Sequence, residues 1–329
     1  MRSAFHIRMK KRAAHSGIII QMKAIPHPIQ YQGSKRNLAP LILRYAPKDV
    51  RRIIEPFAGS ASISIAAAAR HIAESYIIND LNKPLAELLR MIVERPLEIA
   101  SSYEQVWNDQ SADSLQHYYR IREDFNRTQD PRLFLYLLAR CVKGSVRYNS
   151  EGQFNQSPDK RRNGTMPVTM RDNIIRVSAL LKGKSAFSSL DYREALDKAE
   201  QSDLVYMDPP YQGVCGEHDT RYLAGISSGE FISTLQCLNS RGISYIVSYD
   251  GRREEKTFGQ LLPDDLNLIR VELKAGRSTQ STLLGRDEMT YESLYLSQGL
   301  TEKIDRKLLE TCKHPVEQYA LFEPRGNYA

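Results

Sequence analysis

Residues 204–211 read Leu-Val-Tyr-Met-Asp-Pro-Pro-Tyr, an apolar run that leads directly into an acidic residue and two prolines. The apolar residues predict a buried parallel strand, and the prolines cannot continue a sheet ladder, so the strand must end there. Asp208 is therefore presented at a carboxyl strand edge, where open α/β sheets bind their ligands. The run predicts an α/β fold with a ligand site at this edge.

The turn itself suggests a chemistry. The carboxylate of Asp208 and the carbonyl of Pro209 can only accept hydrogen bonds, which suits the two hydrogens of an exocyclic amine. Pro210 stiffens the turn, and the ring of Tyr211 offers a flat surface on which a base can stack. The alternative interpretation is an ordinary junction between a strand and a turn, with a surface aspartate.

A second motif, Glu55–Ser62, follows an apolar pair and opens the Ala-rich run Ile63–Ala69. The order of strand, small-residue turn and helix is typical of a nucleotide-type site, although neither a phosphate loop nor a dinucleotide glycine pattern is present. About 20 residues further on, a short apolar strand ends at Asp80, where a ribose hydroxyl pair would bind. The alternative interpretation of Asp80 is a helix N-cap, and the two roles are compatible.

Together with Tyr31–Lys35 and Asn79–Asn82, these motifs resemble the Dam-type DNA adenine methyltransferases (D12 class, alpha group), which use S-adenosylmethionine. The resemblance covers roughly residues 27–300, and the motifs come in the family's order. It implies a Rossmann-like, seven-stranded methyltransferase sheet with an inserted, mainly helical target-recognition subdomain that carries a β-hairpin.

The resemblance also implies roles for individual residues. The catalytic turn would be Asp208, Pro209, Pro210 and Tyr211. Lys35 would lie near the methionine carboxylate of the cofactor, and Asp191 near its adenine, although Asp191 is as readily the N-cap of the following helix. The residues implied to border the cofactor are Tyr31, Lys35, Phe57, Gly59, Ser60, Asp80, Asp191 and Asp208.

The basic charge is concentrated in the insertion between the two motifs. From His117 to Lys184 there are 14 Lys and Arg against 6 Asp and Glu, a balance of +8, whereas the whole chain is only +7. This excess favours binding to a polyanion, because neutralised phosphates release counterions. The alternative is a basic face that is merely solvated.

The insertion has a helical pattern up to about Lys143. The pattern of residues 144–156 then predicts a hairpin, which is followed by a basic loop over residues 160–164. Arg, Asn and Gln side chains can recognise base edges, and in the family this hairpin recognises the target. A purely structural hairpin is the competing interpretation, and the loop around Arg277 could be an ordinary surface loop. The predicted DNA-binding residues are Arg147, Tyr148, Asn149, Gln153, Asn155, Lys160, Arg161, Arg162 and Arg277.

These patterns predict four parts of the chain: an N-terminal extension (1–26), a catalytic domain (27–84 and 186–300), a target-recognition subdomain (85–185), and a C-terminal helix and tail (301–329). Met22 lies just before the recognisable part, and a native start there is an alternative to Met1.

Several classes of protein are disfavoured. No apolar run approaches the roughly 18 residues of a membrane span, and no signal peptide is recognisable, so we expect a cytoplasmic, DNA-associated protein. The cysteines at 141, 215, 237 and 312 are scattered, which indicates neither a disulfide framework nor a zinc site, and the predicted chemistry needs no metal.

The function that the resemblance implies is methyl transfer from S-adenosylmethionine to the N6 amine of a flipped-out adenine in double-stranded DNA. Alternatives are a cytosine N4 methyltransferase of the same fold, an RNA or protein methyltransferase, and a catalytically silent DNA-binding regulator. The sequence gives neither the recognition site nor the biological setting, for which a restriction endonuclease partner, a phage or a regulatory system all remain open.

Overall fold

The computed structural model describes residues 24–111, 113–210, 226–253, 256–258, 261–277 and 289–310, except for the side chains of residues 111, 253, 256–258 and 277. Eight strands are present in these ranges: β1 (Val50–Glu55), β2 (Ala73–Asn79), β3 (Ser185–Ser188), β4 (Asp203–Met207), β5 (Ser244–Arg253), β6 (Lys256–Phe258), β7 (Ile269–Arg277) and β8 (Met289–Leu296).

The described helices flank and interrupt these strands. They are α1 (Ala39–Ile42), α2 (Ser62–Ala69), α3 (Lys83–Glu94), α4 (Pro96–Asn108), α5 (Ser114–Thr128), α6 (Pro131–Arg140), α7 (Pro167–Leu181), α8 (Tyr192–Asp197), α9 (Ser228–Ser240), α10 (Gln298–Thr301) and α11 (Arg306–Glu310). None of the helices in the described ranges is long and apolar enough to cross a membrane.

Seven strands form one continuous sheet in the order β3-β2-β1-β4-β5-β8-β7, and the short β6 pairs with β5 beside it. The first five strands of this order run parallel, whereas β8 is antiparallel to both of its neighbours. The parallel arrangement brings the carboxyl ends of β1 to β4 to one edge of the sheet. Because β1 and β4 are adjacent, the two sequence motifs that follow them become neighbours.

Apolar side chains pack on both faces of the sheet. Ile53 belongs to one buried cluster and Ile54 to the other, because successive residues of a strand point to opposite faces. The cluster around Ile53 continues without interruption into α3, α5, α6 and α7, so that Leu88 and Phe134 share it with the sheet. The inserted helices are therefore packed onto the sheet through one apolar core.

The segment predicted as a hairpin turns back on itself through a few hydrogen bonds. Tyr148 and Phe154 form an isolated antiparallel bridge, and the backbone N–H of Asn149 donates to Gln153 O at 2.9 Å. Inside the turn, Oδ1 of Asn149 accepts from the backbone N–H groups of Glu151 and Gln153. A single bridge and these local side-chain bonds take the place of the two short strands that the sequence predicts around this turn.

Candidate active site

One cavity of about 300 Å³ lies at the carboxyl edge of β1 to β4. Each strand delivers one acidic residue to its wall: Glu55, Asp80, Asp191 and Asp208. The structure also brings together around it all eight residues predicted to border a cofactor, together with Pro209 and Pro210. Tyr211 and the side chain of Arg277 lie outside the described part of the chain, so their predicted roles stay predictions.

The turn after β1 is held by buried polar contacts. Oε2 of Glu55 accepts hydrogen bonds from the N–H and hydroxyl of Ser64, at 3.0 and 2.6 Å, which ties the strand end to the first turn of α2. Burial raises the pKa of Glu55 to about 7, although the bonds from Ser64 oppose this shift. Gly59 has a φ of +52°, a backbone conformation that favours glycine.

Asp80 connects this turn to the end of β2. Its Oδ2 accepts from Gly59 N at 2.7 Å and its Oδ1 from Asn82 N at 2.9 Å. Burial raises the pKa of Asp80, and these two N–H bonds counteract the shift. The N-cap of α3 is Asn82, whose side chain accepts from Leu85 N, so Asp80 is not the helix cap. Asp80 therefore fixes Gly59 while it lines the cavity.

The sequence left two roles open for Asp191, a residue of the cofactor site and a helix N-cap, and the structure shows a position that fits both. It lines the cavity, and as the N-cap of α8 it accepts a hydrogen bond from Arg193 N at 3.0 Å. The Arg193 side chain also donates to it at 2.8 Å, and this hydrogen bond lowers the pKa of Asp191.

Asp208 is paired with a buried lysine. Nζ of Lys35 donates to Oδ1 and Oδ2 of Asp208, at 2.9 and 2.8 Å, and lies 3.5 Å from Oε2 of Glu292. Burial alone would lower the pKa of Lys35, but the two carboxylates more than reverse this effect and the pKa is raised. The lysine that the resemblance assigns to the methionine carboxylate thus also lies against the predicted catalytic turn, and Glu292 is a neighbour that the sequence patterns did not identify.

Tyr148 lies in the wall of the same cavity rather than on the exposed side of the hairpin. Its side chain is buried, and Asn82 Nδ2 donates to its hydroxyl at 3.0 Å. Of the predicted DNA-binding residues in the hairpin, Arg147, Gln153 and Asn155 are exposed and Asn149 is half-buried. Tyr148 therefore faces the cavity, whereas the other four residues are accessible on the surface of the hairpin.

A second cavity of about 370 Å³ lies between α5 and the hairpin. Asn149, Gln153 and Asn155 line it from the hairpin, opposite Arg122 and Arg127 of α5. These two arginines belong to the basic stretch, but helical periodicity alone did not indicate that they face the hairpin.

The basic loop is attached by buried side chains of the inserted helices. Arg140 Nη1 donates to Asp159 O, Gln110 Nε2 to Asn163 O and the Tyr103 hydroxyl to Thr165 O, at 3.0, 3.1 and 2.6 Å. Between these anchors, Arg161 and Arg162 are 88% and 79% exposed. The loop thus holds its cations outward on a fixed backbone.

Replacing Gly59 by alanine is expected to weaken ligand binding at the first cavity about tenfold. A Cβ on Gly59 would lie 2.9 Å from Cε1 of Tyr31, so the ring must move within the cavity wall. Gly183→Ala is the matched control, because Gly183 has a φ of +75° but no atom within 4 Å of its added Cβ. Calorimetric titration with S-adenosylmethionine should show weaker binding for Gly59→Ala alone; equal affinities would contradict this account.

Asn126 positions the hairpin on α5. Its Nδ2 donates to Phe154 O at 3.0 Å, and its Oδ1 accepts from Phe154 N at 2.8 Å. Asn126→Ala is therefore expected to speed hydrogen exchange at the Phe154 amide and to weaken duplex DNA binding about tenfold, without changing affinity at the first cavity. The exposed Asn108→Ala serves as control. Unchanged exchange at Phe154 would show that the two bonds do not hold the hairpin.

The sheet order, with acidic residues at the ends of four adjacent parallel strands around one cavity, defines a Rossmann-like fold of the methyltransferase class. A family model described as D12 class N6 adenine-specific DNA methyltransferase matches residues 31–276. The chain therefore belongs to the D12 class of N6 adenine-specific DNA methyltransferases. The resemblance stated from the sequence motifs is confirmed.

The names of two relatives agree with this family. The modification methylase StsI of Streptococcus sanguinis is 26% identical over 257 residues, which cover 74% of this chain but only 38% of that protein. The retron Ec67 DNA adenine methylase of Escherichia coli is 28% identical over 229 residues, covering 67% of this chain and 75% of that one. Among solved structures, the rRNA methyltransferase AviRa of Streptomyces viridochromogenes matches 81% of this chain and 86% of its own, with a TM-score of 0.38 and 15% identity.

Proposed function

We propose that this chain transfers a methyl group from S-adenosylmethionine to the N6 amine of adenine in double-stranded DNA. The observation that carries the proposal is the position of Asp208 and Pro209, two acceptors at the end of β4 in the wall of the cavity. Family membership supports the same reaction.

The first cavity fits S-adenosylmethionine in its residue types. Asp80 presents a half-buried carboxylate suited to ribose hydroxyls, and Tyr31 and Phe57 add aromatic surface. Leu81 and Leu190 line the cavity although they are 47% and 44% exposed, which suits the apolar faces of an adenine ring. When bound, the cofactor supplies an activated methyl group on a sulfonium.

The protein's own residues would position the amine. A carboxylate has about four acceptor sites, so Asp208 can accept from an amine while Lys35 occupies two of them. With the Pro209 carbonyl as second acceptor, both hydrogens of the amine are held and its lone pair is directed away from them. An adenine inside a duplex cannot reach this turn, so the base must rotate out at a cost of a few kcal/mol.

DNA would be bound by the inserted helices, the hairpin and the basic loop, which together form the proposed target-recognition subdomain (85–185). Arg147, Gln153 and Asn155 are exposed and can reach base edges. We place this activity in the cytoplasm, and the name of the StsI relative favours a restriction endonuclease partner as one setting.

Removing the cations of the basic loop is expected to weaken DNA binding without changing sequence preference. In a Lys160→Ala, Arg161→Ala, Arg162→Ala variant, the plot of log affinity against log salt concentration should become less steep by about 2. Each phosphate contact that is lost lowers the number of counterions released on binding. The control removes the same charge elsewhere, at the exposed Lys48, Lys198 and Lys307. Equal slopes for the two triple variants would show that the loop does not contact phosphates.

The decisive experiment incubates the purified chain with duplex DNA and S-adenosylmethionine, and then sequences the DNA by a method that distinguishes N6-methyladenine from N4-methylcytosine. Methylated adenines within one short shared sequence are expected. Methylcytosine would indicate the N4 reaction instead. Cofactor binding without any modified base would indicate an RNA or protein acceptor, and no cofactor binding would indicate a silent regulator.

A further inference from the structure

Glu292 lies beside the catalytic turn, on a strand that carries none of the sequence motifs. It pairs in register with Gly251 of β5 and Leu273 of β7. A Cβ on Gly251 would lie 2.8 Å from the carbonyl oxygen of Tyr291, so glycine at this position allows β8 to approach β5 closely. This approach brings the Glu292 carboxylate to within 3.5 Å of Lys35 Nζ.

The three charges of Lys35, Asp208 and Glu292 interact in a poorly solvated place. The side chain of Lys35 is 6% exposed, that of Asp208 20% and that of Glu292 26%. Lys35 stays an ammonium because the neighbouring carboxylates raise its pKa despite its burial. Since Lys35 lines the cavity, its positive charge opposes the binding of any other cation there.

Glu292 offsets this effect of Lys35. It adds a negative charge next to the ammonium, in addition to that of Asp208, although it is not among the residues that line the cavity. The contribution of Glu292 is the change in electrostatic potential between the protein with and without its charge. Other charges that face the cavity are the same in both and cancel. Burial raises the pKa of Glu292, and the neighbouring Lys35 opposes this shift. Removal of the ionised carboxylate makes the potential in the cavity more positive.

The reaction proposed above begins with a cation and leaves a neutral product at this cavity. S-adenosylmethionine carries a sulfonium, whereas S-adenosylhomocysteine carries an uncharged thioether and is otherwise the same molecule apart from the methyl group. Contacts with adenine, ribose and the methionine end therefore largely cancel in the ratio of their affinities. That ratio reports the electrostatic preference of the site.

We propose that Glu292 is a specificity-determining residue of this site, whose negative charge beside Lys35 favours the cationic methyl donor over the neutral thioether product. The proposal rests on the proposed function, because it assumes that the cavity binds S-adenosylmethionine. A unit charge within about 10 Å in a partly solvated interior changes the affinity for a cation by about tenfold. Glu292 thereby limits inhibition of the enzyme by its own product.

The test is calorimetric titration of the full chain with S-adenosylmethionine and with S-adenosylhomocysteine, without DNA. In Glu292→Gln, which keeps the shape of the side chain but removes its charge, the affinity ratio of donor to product should fall about tenfold. Glu292→Asp keeps the charge and should stay within about threefold of the wild-type ratio. Glu272→Gln is the matched control, since Glu272 is a 21% exposed strand carboxylate that pairs with Arg252 instead.

An unchanged ratio in Glu292→Gln, or equal weakening of both ligands, would overturn the proposal. A fall in Glu292→Asp as large as in Glu292→Gln would overturn it too, because shape rather than charge would then matter. If Glu292→Gln does not fold, as judged by thermal unfolding, Glu292→Ala takes its place as the neutral variant with the same expected fall. A wild-type chain that binds neither ligand rejects the proposed function instead.

Discussion

Asp208→Asn is expected to lower the rate of DNA methylation at least about 100-fold, a much larger effect than the roughly tenfold loss of S-adenosylmethionine affinity expected when its negative charge beside Lys35 is removed. The amide keeps the size of the carboxylate, but it replaces one acceptor oxygen with a donor that faces the Lys35 ammonium and the substrate amine. The amine is then held in the wrong orientation. Single-turnover methylation of a duplex, with cofactor affinity measured in parallel, separates the two effects.

Asp265→Asn is the control for this variant, because Asp265 is exposed and is not among the residues that line the cavity. It should methylate DNA at the wild-type rate. Wild-type activity in Asp208→Asn would show that the turn after β4 does not hold the reacting amine, whatever the cofactor affinity.

Lys35→Ala is expected to weaken S-adenosylmethionine binding about tenfold or more and to lower the free energy of unfolding by about 3 kcal/mol. The loss of stability arises because Lys35 is buried and pairs with Asp208 and Glu292, which lose their shared cation when the lysine is removed. Cofactor binding weakens because the methionine carboxylate would lose its cationic neighbour, an effect larger than the relief of repulsion at the more distant sulfonium. Denaturant titration and calorimetry measure the two quantities.

The exposed Lys48→Ala provides the comparison and should change neither quantity measurably. A Lys35→Ala protein with unchanged stability would mean that its ion pairs contribute no net free energy. Unchanged cofactor affinity would show that Lys35 does not contribute to cofactor binding.

The sequence predicted the residues at the strand ends well. Asp208 is placed by a local signal, because an apolar run followed by two prolines can only end a strand. The turn at Gly59 and the acid at Asp80 follow from the same kind of signal, a short apolar run that ends in small or polar residues. Parallel pairing then brings such strand ends to one edge, so local patterns predicted a ligand site there, whereas the roles of Tyr31, Lys35 and Asp191 were implied only by the family resemblance.

Two other placements could not be predicted from local patterns. Tyr148 alternates with polar residues as a DNA-facing side chain would, but its direction depends on Asn82, which lies on another element. Glu292 is an acidic residue in an otherwise ordinary strand, and its importance depends on Lys35 near the other end of the chain. Such contacts are set by tertiary packing, for which the sequence has no periodic signal.

The position of the inserted helices also has a consequence for folding. Arg52 of β1 pairs in register with Asp203 of β4, and the two side chains form a salt bridge of 2.7 Å across 151 positions of the chain. The centre of the sheet therefore cannot form on the ribosome until the whole insertion has emerged. Because contacts of such long range slow folding, we expect refolding to be slow and rate-limited by closure of this strand pair. Arg52→Ala should then slow refolding, and a variant that only unfolds faster would show that the pair forms after the rate-limiting step.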